Sequence, residues 1–201
     1  MRSARIVTVC LVVAAAMLSD AAVSLASCLS AATEATLVAP YATGIDEILL
    51  DGVIWLEWDD ASEYELAIGD YRTEVLVKHD SEYFYVAMVV HTAHLFPAGF
   101  EAFVFLDNGD NQSYSTGDDM LVARAEDGTL VEADYYYRAT YDFCLDTEVG
   151  GTIDAHGVGR YSDAAGYYVF EFRRKIASGD AKDIQLAVGT PFSATYGWAS
   201  Y

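Results

Sequence analysis

Residues 83–92, YFYVAMVVHT, decide the fold class of this chain, because nearly every side chain in them is apolar. Successive side chains of a β-strand point to opposite faces, so the stretch predicts a strand that is buried on both sides. One face carries Phe84, Val86, Met88 and Val90, and the other carries Tyr85, Ala87, Val89 and His91. Residues 71–78, YRTEVLVK, predict a second strand, and the four residues between the two, HDSE, predict a β-hairpin.

Short apolar segments of the same kind follow along the chain, rich in aromatic and β-branched residues and bounded by Asp, Asn, Gly or Ser. They predict strands at residues 101–106, 120–125, 130–140, 167–173, 184–188 and 192–200. The pair Asp127-Gly128 predicts a two-residue turn between two of these strands. Helical signals are confined to a short turn within residues 58–66. We therefore predict a single all-β domain, an antiparallel β-sandwich of the jelly-roll or immunoglobulin-like kind.

The N-terminal residues indicate export. Two arginines precede an apolar run, residues 6–18, which is too short to span a bilayer and is followed by small residues. Residues 1–27 therefore predict a secretory signal peptide. The stretch LASC, residues 25–28, is similar to a bacterial lipobox, in which Cys28 carries the lipid, and ordinary signal-peptidase cleavage is the alternative. We expect an extracytoplasmic protein that is secreted, periplasmic or lipid-anchored, with a lipid on Cys28 as its route to a membrane.

The remaining chain divides into two parts. Residues 28–44 are rich in Ala and Thr and predict a spacer, and residues 45–201 hold the β-sandwich domain. Cys28 and Cys144 are the two cysteines that follow the leader. A disulfide between them is possible in an oxidising compartment when Cys28 carries no lipid.

Acidic residues outnumber basic ones by 31 to 11, which gives a net charge of −20. Removal of the leader takes away two arginines and one aspartate and leaves a net charge of −21. This charge argues against nucleic acid as a partner, because phosphate binding depends on clustered Lys and Arg. It favours solubility and the binding of cations.

An acidic loop begins directly after the strand predicted at residues 101–106. Its carboxylates include Asp107, Asp110, Asp118 and Asp119. Ca²⁺ takes about six to eight oxygen ligands at flexible angles, so this loop predicts a calcium site. The alternative is a polar turn that is rich in Asp, Asn and Gly for backbone reasons.

Other residues suggest two further kinds of ligand. His91 closes the buried strand, and together with Met88 it could face a haem or a metal, although a Met inside an apolar strand commonly fills the core. Aromatic faces stack on sugar rings, and we assign Trp198 and Tyr136 to such a glycan platform.

The sequence has no nucleophile elbow, phosphate-binding loop or His-Glu-x-x-His helix, so we expect a protein that is not an enzyme.

Four stretches of the chain resemble a known superfamily. They are LLDGVIWLEWDDASEY (49–64), VLVKHDSEYFYVAMVV (75–90), FVFLDNGDNQSYSTGDDML (103–121) and GYYVFEFRRKIASGDAKDIQLAVGTPFSATYGW (166–198). The first two are similar to family 9 carbohydrate-binding modules and to the wider DOMON-like superfamily. The last resembles the haem-binding domain type named after the ethylbenzene dehydrogenase gamma subunit.

This resemblance implies a β-sandwich and a choice of ligands. One branch of the superfamily binds sugars between aromatic rings with structural calcium, and another binds b-type haem and passes electrons to a redox partner protein. For haem, the implied axial ligands are Met with Lys or His, and the residues available here are Met88, His91 and Lys175.

We therefore expect an extracytoplasmic, non-catalytic binding module for a small molecule or glycan, with calcium as its ion. A haem-binding electron-transfer domain is the first alternative. A structural cell-surface or filament subunit is the second, since the leader, the spacer and the 15 tyrosines suit one.

Overall fold

The computed structural model of the chain describes residues 6–7, 34–35, 38–42, 48–68, 71–92, 95, 99–107, 115–125, 128–139, 142–162, 165–190 and 192–200. The strands are β1 (Ile6–Val7), β2 (Glu34–Ala35), β3 (Ser62–Ile68), β4 (Tyr71–His79), β5 (Tyr83–His91), β6 (Phe100–Asp107), β7 (Asp119–Arg124), β8 (Val131–Glu132), β9 (Asp134–Ala139), β10 (Asp142–Leu145), β11 (Ala155–Ser162), β12 (Tyr167–Lys175) and β13 (Ser193–Ser200). Two 3-10 helices, Leu56–Trp58 and Asp146–Val149, complete these elements. Within the described ranges no helix is long and apolar enough to cross a membrane.

The strands form two large antiparallel sheets. A five-stranded sheet has the order β10-β9-β7-β6-β13, and a six-stranded sheet has the order β3-β4-β5-β12-β11-β8. The short strands β1 and β2 pair with each other. The two large sheets pack face to face, so the all-β sandwich predicted from the sequence is confirmed.

The main core lies between the two sheets. The inward face of β5 carries the buried residues Phe84, Val86, Met88 and Val90, which pack against the inward face of β6. The other face of β5 is buried too, because residues 48–61 cover it and place Ile48 and Trp58 against Tyr85, Ala87 and Val89. The sequence prediction of a strand with two buried faces, in a hairpin with β4, is therefore confirmed.

The strand predicted at residues 130–140 is divided between the sheets. Its first part, β8, pairs with β11 in the six-stranded sheet, and its second part, β9, pairs with β7 in the five-stranded sheet. Ala133 is the crossing point: its N–H donates to Ala155 and its carbonyl accepts from Val122, which lie in different sheets. Asp127 of the predicted Asp127-Gly128 turn lies outside the described residues, and the strands before and after it, β7 and β8, belong to different sheets.

One predicted strand does not form. Residues 184–188 are not a strand, because the N–H of Ile184 donates to a carboxylate of β7 and the N–H of Leu186 donates to the carbonyl of Ile176. The short helical turn predicted within residues 58–66 is confirmed only at its start, where Trp58 ends a 3-10 helix, and Ser62–Ile68 form the edge strand β3.

Strand β11 was missed in the sequence because its glycines suggested a loop. A Cβ atom on Gly157 would lie 2.9 Å from the Cβ of Ala123, and one on Gly159 would overlap the main-chain carbonyl of Arg124. Ala123 and Arg124 both belong to β7, which lies in the facing sheet. The glycines are thus needed where the two sheets approach most closely.

Candidate functional site

Five buried aspartates gather at one end of the sandwich. They come from β7, from β9, from the second 3-10 helix, from the loop before β11 and from the loop after β12, and they are Asp119, Asp134, Asp146, Asp154 and Asp183. We call these five residues the carboxylate cluster. Burial of a carboxylate is costly unless it is paired or hydrogen-bonded, so the partners of each one define what the site can do.

Arg174 is the buried cation of the cluster. Its side chain is 1% exposed, and its Nη2 donates to Asp119 Oδ2 at 2.5 Å and to the carbonyl of Ile184 at 2.7 Å. The same Nη2 lies 3.9 Å from Asp183 Oδ1. The guanidinium therefore ties β12 to β7 and to the loop after β12.

Three of the five carboxylates have hydrogen-bond partners within the protein. Asp119 also accepts from the N–H of Ile184 at 2.7 Å, and Asp134 accepts from the N–H of Asp154 at 2.6 Å. Asp154 accepts from the hydroxyl of Thr152 at 2.6 Å and lies 2.5 Å from Lys175 Nζ. These bonds give the three carboxylates a structural role.

Asp146 and Asp183 are different, because their four buried carboxylate oxygens have no hydrogen-bond partner among the described residues. Asp146 is 1% exposed, and Gly151 has no side chain where a Cβ would overlap its carboxylate. Burial, and then the negative charge of Asp183, raises the pKa of Asp146 to about 6. Burial likewise raises the pKa of Asp183, against the influence of Ser178 and Arg174.

The cluster carries more negative charge than its basic neighbours compensate. Burial raises the pKa of Asp134 to about 7, and Asp183 adds to the effect. Burial also raises the pKa of Asp119, while Arg174 and the Ile184 N–H oppose the rise. Two kinds of positive partner relieve such repulsion, namely protons and a bound cation. Within the described ranges, no three acidic, histidine or cysteine side chains converge closely enough to form a ready metal site.

The cluster differs from the calcium loop expected from the sequence. Asp119 is shared by both, but its carboxylate is bonded to Arg174. Asp118 is buried and accepts from the N–H and hydroxyl of Ser115, which closes a turn, and Asp107 ends β6. Asp110 lies outside the described residues, as does Cys28. Asp146 and Asp183 had no signal in the sequence, since nothing local shows that a carboxylate is buried.

The three residues proposed as haem ligands are not brought together. Met88 is fully buried and faces the main core. His91 belongs to the other face of β5, and its Nε2 lies 3.0 Å from Glu74 Oε1. Lys175 pairs with Tyr83 at the opposite end of β5 from His91, roughly 26 Å away for eight residues of strand. No common ligand can contact all three in this arrangement.

The two residues proposed as a sugar platform are also placed differently from the expectation. Trp198 is 9% exposed and lies in the core, stacked on Phe100 at 5.4 Å between ring centroids and packed on Tyr71 at 5.0 Å. Tyr136 is half-buried, with Lys182 Nζ 5.1 Å from its ring centroid. The indole of Trp198 therefore presents no open face to a sugar.

The exposed tryptophan is Trp55. Of the three tryptophans in the sequence, Trp58 and Trp198 are buried, whereas Trp55 is 62% exposed and is followed by the exposed Leu56. Trp55 directly precedes the 3-10 helix Leu56–Trp58. The sequence led us to Trp198 rather than to Trp55, since the three rings share one composition signal and differ only in tertiary packing.

The segment that presents Trp55 is anchored by the buried carboxylate of Glu171. Glu171 Oε2 accepts from the N–H groups of Asp51 at 3.0 Å and Gly52 at 2.6 Å, and Oε1 accepts from the indole of Trp58 at 2.8 Å. Burial raises the pKa of Glu171 to about 7, and the three donated hydrogen bonds oppose that rise. Trp55 thus lies on a turn that is held on one side by a buried, multiply bonded acid.

The chain is thus an all-β sandwich with two notable features: the carboxylate cluster at one end, and the exposed Trp55 on an anchored turn. No family model matches the sequence, and no curated protein matches it. A family 9 carbohydrate-binding module from Caldicellulosiruptor kristjanssonii, solved in complex with cellotriose, is similar to the chain with a TM-score of 0.42 and 14% sequence identity. The match covers 69% of this chain and 66% of the length of that chain.

Proposed function

We propose that this protein is a non-catalytic module that binds a glycan outside the cytoplasm and holds a divalent cation, calcium by its donor chemistry, in the carboxylate cluster. The observation that carries the binding proposal is the exposed ring of Trp55 on an anchored turn. The export part of the proposal rests on the leader-like residues 1–27, and the absence of catalysis rests on the lack of catalytic motifs in the sequence.

The chemistry of Trp55 suits a sugar ring. An indole presents a flat apolar face, which packs on the C–H face of a pyranose. The anchor at Glu171 means that little loop ordering has to accompany binding. The net charge of −20 repels anionic polymers, so a neutral or amino-bearing glycan fits best.

Substitution of Trp55 tests the glycan proposal. We expect Trp55→Ala to weaken binding to neutral polysaccharides at least about tenfold, which corresponds to about 1.4 kcal/mol. The measurement is depletion binding on insoluble cellulose, xylan and chitin. Tyr41→Ala is the matched control, since Tyr41 is similarly exposed but lies on another segment, and it should bind as the wild type does. Equal binding by Trp55→Ala and wild type to every polysaccharide retained by either would contradict the proposal.

The cation part of the proposal rests on Asp146 and Asp183. Their four buried carboxylate oxygens have no hydrogen-bond partner among the described residues, and they are hard oxygen ligands of the kind that Ca²⁺ takes. Because no third acidic side chain converges with them in the described part of the chain, main-chain carbonyls and water would have to complete the shell. Ca²⁺ accepts such mixed shells, whereas Mg²⁺ demands stricter geometry.

Calcium titration tests this part at pH 8, above the raised pKa of about 6 of Asp146. We expect Ca²⁺ to raise the melting temperature and EDTA to lower it, since saturation to 100 times the Kd adds about 2.7 kcal/mol. Asp146→Asn should abolish the calcium response and, without calcium, be more stable than the wild type, because it removes an unpaired buried charge.

Asp107→Asn is the discriminating control for that titration. Asp107 belongs to the acidic loop rather than to the carboxylate cluster, so this variant should respond to calcium as the wild type does. If the calcium response of the melting temperature is lost in Asp107→Asn and kept in Asp146→Asn, the calcium site lies in the acidic loop. If calcium does not change the melting temperature of the wild type, the cation part of the proposal is wrong. The glycan experiment does not depend on this result.

A further inference from the structure

Lys78 is a buried lysine that neither the glycan site nor the carboxylate cluster uses. It lies on β4, its side chain is 2% exposed, and it is one of the three lysines in the sequence. Burial of a lysine is costly, because desolvation disfavours the charged form of the amine. The groups around Lys78 therefore have to pair with its charge or take up its proton.

The amine of Lys78 is enclosed by the turn that follows the 3-10 helix Leu56–Trp58. Its Nζ donates to Asp60 Oδ1 at 2.7 Å and to the main-chain carbonyl of Glu57. The ring centroid of the buried Trp58 lies 5.8 Å from the same nitrogen. An amine and a carboxyl group are thus held together beside an aromatic ring, while the Asp60 side chain, which is 24% exposed, still reaches solvent.

The amine and the carboxyl group are close enough to react. The carboxyl carbon of Asp60 is one bond beyond Oδ1, so it lies within about 4 Å of Lys78 Nζ. Groups held with their reacting atoms about 3–3.5 Å apart react far faster than the same groups free in solution. A buried ion pair can also relieve its desolvation cost by moving the proton to the carboxylate, which leaves a neutral amine beside a carboxylic acid. The neutral amine has the lone pair that attacks a carbonyl carbon.

Glu57 supplies an acid–base group on the same turn. Its carbonyl accepts from Lys78 Nζ, and its carboxylate oxygen Oε1 is buried without a hydrogen-bond partner among the described residues. Amide formation needs a group that takes a proton from the attacking nitrogen and gives it to the leaving oxygen, directly or through one water. The Glu57 carboxyl group is suited to this transfer by its chemistry and its place in the chain.

We propose that Lys78 and Asp60 form an intramolecular isopeptide bond in the folded protein. A proton moves from Nζ to the Asp60 carboxylate, Nζ attacks the carboxyl carbon, and Glu57 carries a proton from the nitrogen to the departing hydroxyl. One N–C bond forms, one C–O bond breaks and one molecule of water leaves, so the step needs no oxidant, cofactor or second substrate. The bond ties the turn that carries Trp55 to β4, and it forms without a glycan or a cation.

Peptide mapping by mass spectrometry tests the bond directly. After denaturation and trypsin digestion, we expect the peptides that contain Asp60 and Lys78 to be joined, with a mass one water below the sum of the two. Trypsin separates the two residues by cutting after Arg72, and it does not cut after a lysine whose side chain is an amide. An ion pair does not survive denaturation, so joined peptides distinguish a covalent bond from a polar contact.

The same chain offers a matched control pair. Lys175 Nζ lies 2.5 Å from Asp154 Oδ1, but the Lys175 side chain is 38% exposed. Water stabilises the charged form of such an amine, so we expect Lys175 and Asp154 in separate peptides of the same digest. Lys78→Arg and Asp60→Ala should abolish the joined peptides, and Glu57→Gln should slow their formation after refolding at least about tenfold.

Two results would overturn the bond. The first is a folded wild type from which Asp60 and Lys78 are recovered only in separate peptides, since the contact would then be an ion pair. The second is a joined product that persists in Asp60→Ala, since Lys78 would then be bonded to another carboxyl group. Formation at the wild-type rate in Glu57→Gln would overturn the role given to Glu57. The glycan and calcium experiments do not depend on these results.

Discussion

Glu171→Ala is expected to destabilise the protein strongly, because Glu171 on β12 anchors the segment of residues 48–61. It removes the acceptor of three hydrogen bonds, from the N–H groups of Asp51 and Gly52 and from the indole of Trp58. Each donor left buried without a partner costs about 1–3 kcal/mol, so we expect a loss of about 3 kcal/mol or more. Urea unfolding at pH 8, followed by tryptophan fluorescence, measures it.

Glu171→Gln is the matched variant, because it keeps an acceptor oxygen and removes the ionisable group. Burial raises the pKa of Glu171 to about 7, so the folded protein holds a proton that the unfolded chain has released at the same pH. The stability from this proton is fully present below the unfolded pKa of about 4.3 and is lost as the pH rises toward 7. The wild type should therefore lose more stability than Glu171→Gln between pH 5 and pH 8. A Glu171→Ala protein within 1 kcal/mol of the wild type would show that the anchor contributes little.

Arg174→Met is expected to have the second large effect. The guanidinium is 1% exposed and bonded to Asp119, and it lies beside Asp183. Removing one partner of a buried ion pair leaves an uncompensated charge, which costs about 3–5 kcal/mol. We expect a loss of that size at pH 8, measured by urea unfolding without calcium.

The loss of stability in Arg174→Met should depend on pH. Burial raises the pKa of Asp134 to about 7 and that of Asp146 to about 6, so acidification to pH 5 protonates these two carboxylates in the folded state. The repulsion that Arg174 offsets then weakens, and the loss should shrink. Arg124→Met is the matched control, since the Arg124 side chain is 56% exposed in its pair with Glu101 and exposed pairs are worth about 0–1 kcal/mol. Equal losses in the two variants would refute a special role for burial.

Part of the site could have been placed from the sequence alone. The two-residue period that predicted β5 also puts Met88 and His91 on opposite faces, and the structure has them so, with Met88 in the main core. The pairing of those residues as haem ligands thus conflicted with the pattern used to predict the strand. The position of Trp198 could not be predicted in this way. The alternation of β13 assigns Trp198 to one face of the strand, but it does not show which face packs in the core.

The strands of the fold also divide into those that the sequence predicted and those that it did not. Local alternation was enough for β4, β5, β6, β7, β12 and β13, whose predicted positions agree with the structure within about two residues. It failed at residues 184–188, where side-chain and loop acceptors take the main-chain donors, and at β11, where glycines serve close packing between the sheets. In both places the deciding partner lies far away in the sequence.

By itself, the sequence determined that the chain forms short strands, one of them buried on both faces, and packs them as a sandwich, because side-chain alternation is a local property of the extended backbone. Only the tertiary structure decided that Ala133 joins the two sheets, that Trp55 is the exposed tryptophan, and that Asp146 and Asp183 share one buried place. These features depend on which strands become neighbours. A carboxylate or an indole has the same local sequence signal in solvent and in the interior, and long-range packing alone separates the two.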